Sequence, residues 1–255
     1  MTKKYLGQNF LYDPSILNRI VQAANISSED TVVEIGPGPG RLTRILAERA
    51  KRVIGIEVDR ELYEELKVEL GHYKNVELVC GNALEYPYEE LSEFKVVANI
   101  PYYITTPIIF RLLESRKNLK SMTLTVQKEV AERIVARPGG KDYGVLSIMV
   151  QYYAIPSLKF IIPRGAFRPV PKVDSAVVYF EMRESPAVSV KDEKLFFRIV
   201  KTAFTQRRKT LANSLKPLYG DIKDKIIAAG IDPMRRPGTL SIEEFARLSD
   251  VLYTS

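Results

Sequence analysis

Apolar runs of strand length alternate with helical repeats along the first half of this chain, and that alternation restricts the fold more than any other feature. Residues 31–35, 52–57, 76–79, 94–98 and 122–126 are apolar runs of four to six residues. Between them, apolar residues recur at helical spacing: Leu42, Ile45, Leu46 and Ala50, then Leu62, Leu66 and Leu70, then a helix opened by Thr106-Pro107 and another over 128–136. Asp13-Pro14 starts an earlier helix, with a capping side chain followed by proline at the first helical position. Strands separated by helices predict a mostly parallel sheet covered on both faces. Residues 158–162 and 175–180 read as two further strands joined only by a Pro-rich connection, so at least one edge is antiparallel.

The pattern changes after residue 184. Residues 184–190 are polar and carry Pro186, which reads as a linker. Beyond it only helical spacing remains, and Ser241-Ile242-Glu243-Glu244 has the form of a capping box. The expected organisation is an α/β domain over 1–184 and a small helical domain over 185–255.

Composition removes several classes of function. The chain has 255 residues, one histidine (His72) and one cysteine (Cys80). A single cysteine excludes an intrachain disulfide and a Cys-rich zinc site. His72 lies in the polar segment Gly71-His72-Tyr73-Lys74-Asn75, so neither a His-based metal centre nor a histidine base is expected. No apolar run is long enough for a membrane span, and Met1-Thr2-Lys3-Lys4-Tyr5 is not followed by an apolar stretch of signal-peptide length. The expectation is a cytoplasmic monomer without bound metal. Net charge is +7, which suits a polyanionic partner.

Four strand ends carry the chemistry. Gly36-Pro37-Gly38-Pro39-Gly40 follows the first strand with G-x-G-x-G spacing and without a clear phosphate clamp, which disfavours a dinucleotide; a purely structural Gly-Pro turn is the other reading. Glu57 ends the second strand, 21 residues after Gly36, where a carboxylate accepts from ribose hydroxyls. Asn82 follows the third strand, within reach of an adenine edge. Asn99-Ile100-Pro101-Tyr102 follows the fourth, offering an amide oxygen, a backbone carbonyl, a stiff turn and a flat ring that suit an exocyclic amine. An ordinary strand-to-loop turn would have the same sequence. Gly, Glu, Asn and Asn in one crevice would bind an adenosyl cofactor without a phosphate tail, and S-adenosylmethionine is such a cofactor.

With those motifs in place the chain resembles the ribosomal RNA adenine N6,N6-dimethyltransferases. The resemblance rests on Gly7-Gln8-Asn9-Phe10-Leu11, on Val33-Glu34-Ile35-Gly36-Pro37-Gly38 and on Asn99-Ile100-Pro101-Tyr102. Tyr143-Gly144-Val145-Leu146-Ser147, the segment from Phe167 to Ser175, and Phe204-Thr205-Gln206-Arg207-Arg208-Lys209-Thr210-Leu211 are similar to the KsgA-type small-subunit branch. The resemblance implies a Rossmann-like class I methyltransferase sheet and dimethylation of two adjacent adenosines near the 3′ end of 16S rRNA in the immature small subunit, with a role in ribosome assembly. A large-subunit (23S) enzyme or a mainly non-catalytic assembly factor are the alternatives.

Carried over residue by residue, the cofactor contacts fall on Asn9, Leu11, Gly36, Glu57, Asn82 and Asn99. The family often has Asp where this chain has Asn82, which removes a charge-assisted bond. The catalytic set is Asn99, Ile100, Pro101 and Tyr102, with Phe167 implied as the cover on the base's other face. An aromatic ring beside the developing cation adds about 0.5–2 kcal/mol. A loop aromatic packed under Pro169 and Pro171 is the other reading of Phe167. Arg198, Lys201, Arg207, Arg208, Lys209 and Lys216 lie in a segment without an acidic residue, which reads as an RNA-contacting face; a solvated helix face usually mixes both signs. Lys3 and Lys4 would extend that basic surface.

Overall fold

The computed structural model describes residues 9–253. The chain divides into two compact units, the described part of Met1–Ala131 with Pro156–Met182, and Glu132–Ile155 with the described part of Arg183–Ser255. Among the described residues no helix is long and apolar enough to cross a membrane.

The first unit starts with the short strand β1 (Phe10–Leu11) and helix α1 (Pro14–Ala23). Asp13 caps α1 by accepting from the Ser15 amide at 2.8 Å, and Pro14 occupies the first turn. Leu17, Ile20, Val21 and Ala24 then form its buried stripe. There follow β2 (Thr31–Ile35), α2 (Arg41–Ala47), β3 (Arg52–Glu57), α3 (Arg60–Leu70), β4 (Val76–Cys80), β5 (Phe94–Asn99), α4 (Thr105–Glu114), β6 (Leu119–Gln127) and α5 (Lys128–Val135). After α6 (Val145–Tyr153) come β7 (Ala154–Ile162), β8 (Phe167–Arg168) and β9 (Ser175–Met182).

Seven strands form one sheet in the order β4-β3-β2-β5-β6-β9-β7. The β2–β3, β3–β4, β2–β5 and β5–β6 pairs are parallel, and β9 runs antiparallel to β6. The core strands are nearly continuous apolar runs because both faces are covered: Val32, Val33, Val53, Ile54 and Val97 are all fully buried. The chain moves outward from β2 through β3 to β4, then returns to place β5 on the other side of β2. The strand order therefore reverses between β2 and β5, where a crevice opens at the carboxyl ends of the strands.

Two features of this unit depart from the sequence expectation. β1 and β8 form a separate antiparallel ladder, Phe10 opposite Arg168 and Leu11 opposite Phe167. β6 and β7 are each nine residues long and begin three or four residues before the apolar runs that marked them.

The second unit carries α6, α7 (Glu193–Thr205), α8 (Leu211–Tyr219), α9 (Lys223–Ala228) and α10 (Ile242–Tyr253). The capping box forms as its sequence predicts: the Ser241 amide donates to Glu244 at 2.8 Å and the Glu244 amide to Ser241 Oγ at 3.3 Å. Residues 132–155 belong to this unit, whereas the sequence boundary at 184/185 assigns them to the first. The reason is aromatic packing. Tyr152 lies with its ring centroid 5.1 Å from both Phe196 and Phe197, and the Arg183 and Ala187 amides donate to the Tyr153 and Tyr152 carbonyls.

Candidate functional site

A cavity of about 310 Å³ lies at the carboxyl ends of β2, β3, β4 and β5. It is built first from the loop after β2. Gly36, Gly38 and Gly40 all have φ between 55° and 69°, the left-handed region that side chains with a Cβ resist. Gly38 carries the tightest requirement, since a Cβ there would stand 2.6 Å from the Phe10 ring. The loop is fixed to the sheet because the Gly36 amide donates to the Ile56 carbonyl at 2.9 Å.

Glu57 ends β3 and is almost fully buried. Its two carboxylate oxygens accept from the Gly38 amide at 3.0 Å and the Asp59 amide at 2.9 Å. Burial pushes its pKa up, and those two amides oppose the shift. Each oxygen keeps a further lone pair for a ligand hydroxyl. Glu57 thus joins the glycine loop to the end of β3 and presents an acceptor to the cavity.

Asn82 lies after β4 and is exposed at the cavity wall. Its oxygen already accepts from the Leu84 amide at 3.0 Å, and its amide nitrogen donates to Glu85 at 2.9 Å. The side chain is therefore held in a local turn, with one lone pair of its oxygen left for a further donor.

Asn99 ends β5. Its amide nitrogen donates to the Asn9 backbone carbonyl at 3.0 Å. Only the NH₂ group can bond a carbonyl, so this contact fixes which side-chain atom is which and leaves Oδ1 as the acceptor. The Ile100 amide donates to the Thr125 carbonyl at 3.3 Å, tying the turn to β6. Pro101 has φ −55°, and the Ile104 amide closes the turn on its carbonyl at 3.1 Å. Tyr102 is half-buried, with its hydroxyl 2.7 Å from Ser175 Oγ at the start of β9. The Asp174 side chain accepts from the Arg164 amide and its carbonyl from the Lys128 amide, so this acid fixes the strand that holds Tyr102.

The structure brings Asn9, Gly36, Glu57, Asn82, Asn99, Ile100, Pro101 and Tyr102 to one cavity. It does not bring Leu11 or Phe167 there. Both are buried in the core with Leu17, Ile20 and Leu42, and they face each other across the β1–β8 ladder. The cover over a bound base that the sequence assigns to Phe167 is therefore corrected. Its ring is 0 % exposed and lies in the core beneath β1. Residues 7 and 8 of the motif, and Lys3 and Lys4, lie outside the described residues.

The sequence reading overlooks Phe10, Val58, Ala83, Leu84, Tyr103 and Ile104, all of which line the cavity. Each is within two residues of a motif position, so proximity to a strand end is the signal that would have found them. Among the described lining residues Glu57 is the sole charged side chain, and none is Lys, Arg or His. That donor set fits a nucleoside without phosphates and a ligand carrying positive charge. It does not fit a dinucleotide pyrophosphate.

In the second unit, Arg198, Lys201, Arg207, Arg208, Lys209 and Lys216 are all exposed. Arg198 and Lys201 lie on α7, the next three in the turn after it, and Lys216 on α8. Arg207 donates to the carbonyls of Gly140 and Lys141, so part of its role is structural. His72 and Cys80 are exposed, and among the described residues no three His, Cys, Asp or Glu side chains cluster as a metal site.

The family model described as ribosomal RNA adenine dimethylase matches residues 1–254. The ribosomal RNA small subunit methyltransferase A of Clostridium botulinum (strain Langeland) is 51% identical over 98% of this chain and 94% of its own length. That of Moorella thermoacetica is 50% identical over 98% and 92%. Among solved structures, a dimethyladenosine transferase from Plasmodium falciparum aligns with TM-score 0.80 and 30% identity over 94% of this chain and 95% of its own. The 23S rRNA methyltransferase ErmE aligns with TM-score 0.76 and 29% identity over 96% and 100%.

Proposed function

The chain belongs to the ribosomal RNA adenine dimethylase family, and from that premise we propose that it dimethylates the N6 amines of two adjacent adenosines near the 3′ end of 16S rRNA, using S-adenosylmethionine. It is an rRNA-modifying methyltransferase. The observation that carries the reading is the fixed amide of Asn99, whose oxygen is left as an acceptor at the edge of a cavity with one carboxylate and no basic side chain among its described lining residues.

The cofactor supplies an electrophilic methyl group on a positively charged sulfur. Glu57 accepts from its ribose hydroxyls, Asn82 Oδ1 from its adenine amine, and Gly36 and Asn9 provide close backbone approach. The apolar walls from Ile56, Val58, Ala83 and Leu84 hold a flat base. A cavity near 310 Å³ is in the size range of small-molecule sites.

The substrate amine is weakly nucleophilic because its lone pair is delocalised into the adenine ring. Asn99 Oδ1 and the Ile100 carbonyl accept from the amine hydrogens and draw the nitrogen toward tetrahedral geometry. As positive charge develops there, both acceptors bind it more strongly than they bind the neutral amine, which is what lowers a barrier. Tyr102 stacks on the base, held in place by Ser175, and Pro101 stiffens the turn. The methylated ammonium is acidic enough to release its proton to water, so no side chain in the cavity acts as a base. The target base leaves its stack to reach this depth.

Arg198, Lys201, Arg207, Arg208 and Lys209 supply the phosphate contacts of the same reading. An rRNA substrate makes the bacterial cytoplasm its place of action. A large-subunit target is the weaker reading, because identity to the small-subunit methyltransferases is far higher than to ErmE. Incubation of unmodified small-subunit RNA or immature subunits with cofactor, followed by mass spectrometry of RNA fragments, tests the proposal. Two neighbouring adenosines each gaining two methyl groups is the expected result. Methylation of 23S RNA alone, or none on any substrate, would refute it.

A further inference from the structure

We propose that Tyr103 stacks on the nucleobase next to the one that enters the cavity. The proposal rests on the methyltransferase reading above and adds a residue to it.

Tyr103 is 56 % exposed yet lines the cavity, so its ring lies at the rim with most of its surface open to solvent. A ring exposed at a cavity rim offers substantial apolar area to a partner that enters there. The ring has no aromatic or cationic neighbour among the described residues, unlike Tyr12, Tyr63 and Tyr179. Its backbone is rigid. Tyr102, Tyr103 and Ile104 form a single 3₁₀ turn closed by the Ile104 amide on Pro101 and continued directly into α4. A tyrosine on a held backbone has only two side-chain torsions to order on binding.

Helical geometry assigns the two tyrosines to different bases. With three residues per turn, consecutive side chains diverge by about 120°, so Tyr102 and Tyr103 cannot sandwich one ring between them. Tyr102 is turned inward and tethered to Ser175, whereas Tyr103 faces outward at the rim. Extruding one base from a strand exposes a face of its neighbour. Two adjacent adenosines are the substrate, so the neighbour is itself an adenine with a strong tendency to stack. Tyr103 at the rim replaces the stacking partner that has left. Single-stranded RNA is recognised in this way elsewhere, through aromatic faces rather than base edges.

The test uses a single-stranded RNA carrying the adjacent adenosines, with 2-aminopurine replacing one of them. In the wild-type protein, binding should extrude the target and leave the fluorescent neighbour quenched against Tyr103. Tyr103→Ala should restore its fluorescence and weaken RNA binding about tenfold, the usual effect of removing one base–aromatic stack. Tyr103→Phe and Tyr103→Trp should bind and quench as the wild type does, because the ring carries the contact and the hydroxyl does not. The melting temperature, measured on the same preparations, reports whether the fold is intact. Unchanged fluorescence and RNA affinity in Tyr103→Ala would overturn the proposal, as would failure of Phe to rescue. Methylation of the natural RNA by the wild type is scored separately. If it occurs while the Tyr103 variants behave as the wild type does, this inference alone fails; if it does not occur on any substrate, both fail.

Discussion

The side-chain amide of Asn99 donates to the backbone carbonyl of Asn9 at 3.0 Å, joining residues 90 apart in the chain. One contact therefore sets the orientation of the amide at the end of β5 and fixes the segment entering β1 against the cavity. With the nitrogen turned to Asn9, the amide oxygen is the atom presented as an acceptor.

Glu57 accepts two backbone amides, from Gly38 and Asp59. Glu57→Gln replaces one accepting oxygen with an NH₂ group that faces a donor. An unsatisfied buried donor costs about 1–3 kcal/mol. The expected outcome is a lowered melting temperature together with at least a tenfold rise in cofactor Kd by calorimetry. An unchanged Kd would detach Glu57 from the cofactor.

Gly38 and Gly36 share a positive φ but differ in surroundings. A Cβ at Gly38 meets the Phe10 ring at 2.6 Å, whereas one at Gly36 meets nothing within 4 Å. Gly36→Ala should cost about 1–2 kcal/mol from the backbone alone. Gly38→Ala should cost more, because Phe10 must also move and β1 with it. Denaturant unfolding of the two variants ranks them, and equal destabilisation would contradict the packing argument.

Glu34 is fully buried on β2, and burial raises its pKa from about 4.5 to about 8, with the nearby Glu57 charge adding to the rise. Thr43 opposes the shift, but neither Thr43 Oγ1 nor Glu34 Oε2 completes a hydrogen bond. Between those values the folded chain keeps a proton that the unfolded chain has released. Folding stability should then be highest below pH 4.5 as far as this group is concerned, fall by about 1.4 kcal/mol per unit through the window, and level off above pH 8. Glu34→Gln should flatten that slope in unfolding measured from pH 5 to 9. An identical slope in the variant would assign it to other groups.

Arg208 and Lys209 are exposed, and among the described residues their side chains do not anchor the fold as Arg207 does through Gly140 and Lys141. Changing Arg208 and Lys209 to Ala should weaken RNA binding across sequences and reduce the salt dependence by about 0.7 for each phosphate no longer neutralised. Melting should be unaffected. Arg207→Ala should lower both binding and melting temperature.

The parallel core was legible because β2, β3 and β5 are apolar runs buried on both faces, bounded by Gly, Glu and Asn at their ends. That Gly36, Glu57, Asn82 and Asn99 share one cavity was legible for the same reason: they sit at strand ends, and strand ends of a parallel sheet converge. Phe167 was not. Its place depends on a two-residue ladder between β1 and β8, too short to leave a periodic signal and formed between distant segments. Helix α6 escaped because Val145–Tyr153 is apolar on nearly every face, so no 3.6-residue contrast marks it. Its partnership with α7 follows from aromatic contacts of Tyr152 that no spacing encodes.

The central claim is that Asn99 lowers the barrier by accepting from the reacting amine. Single-turnover methyl transfer at saturating cofactor and RNA compares the wild type with Asn99→Ala. A fall of about 10²–10³ in rate, with RNA affinity within a few-fold of the wild type, is predicted for removal of one preorganised partner of developing charge. A variant that transfers methyl groups at the wild-type rate would contradict the account.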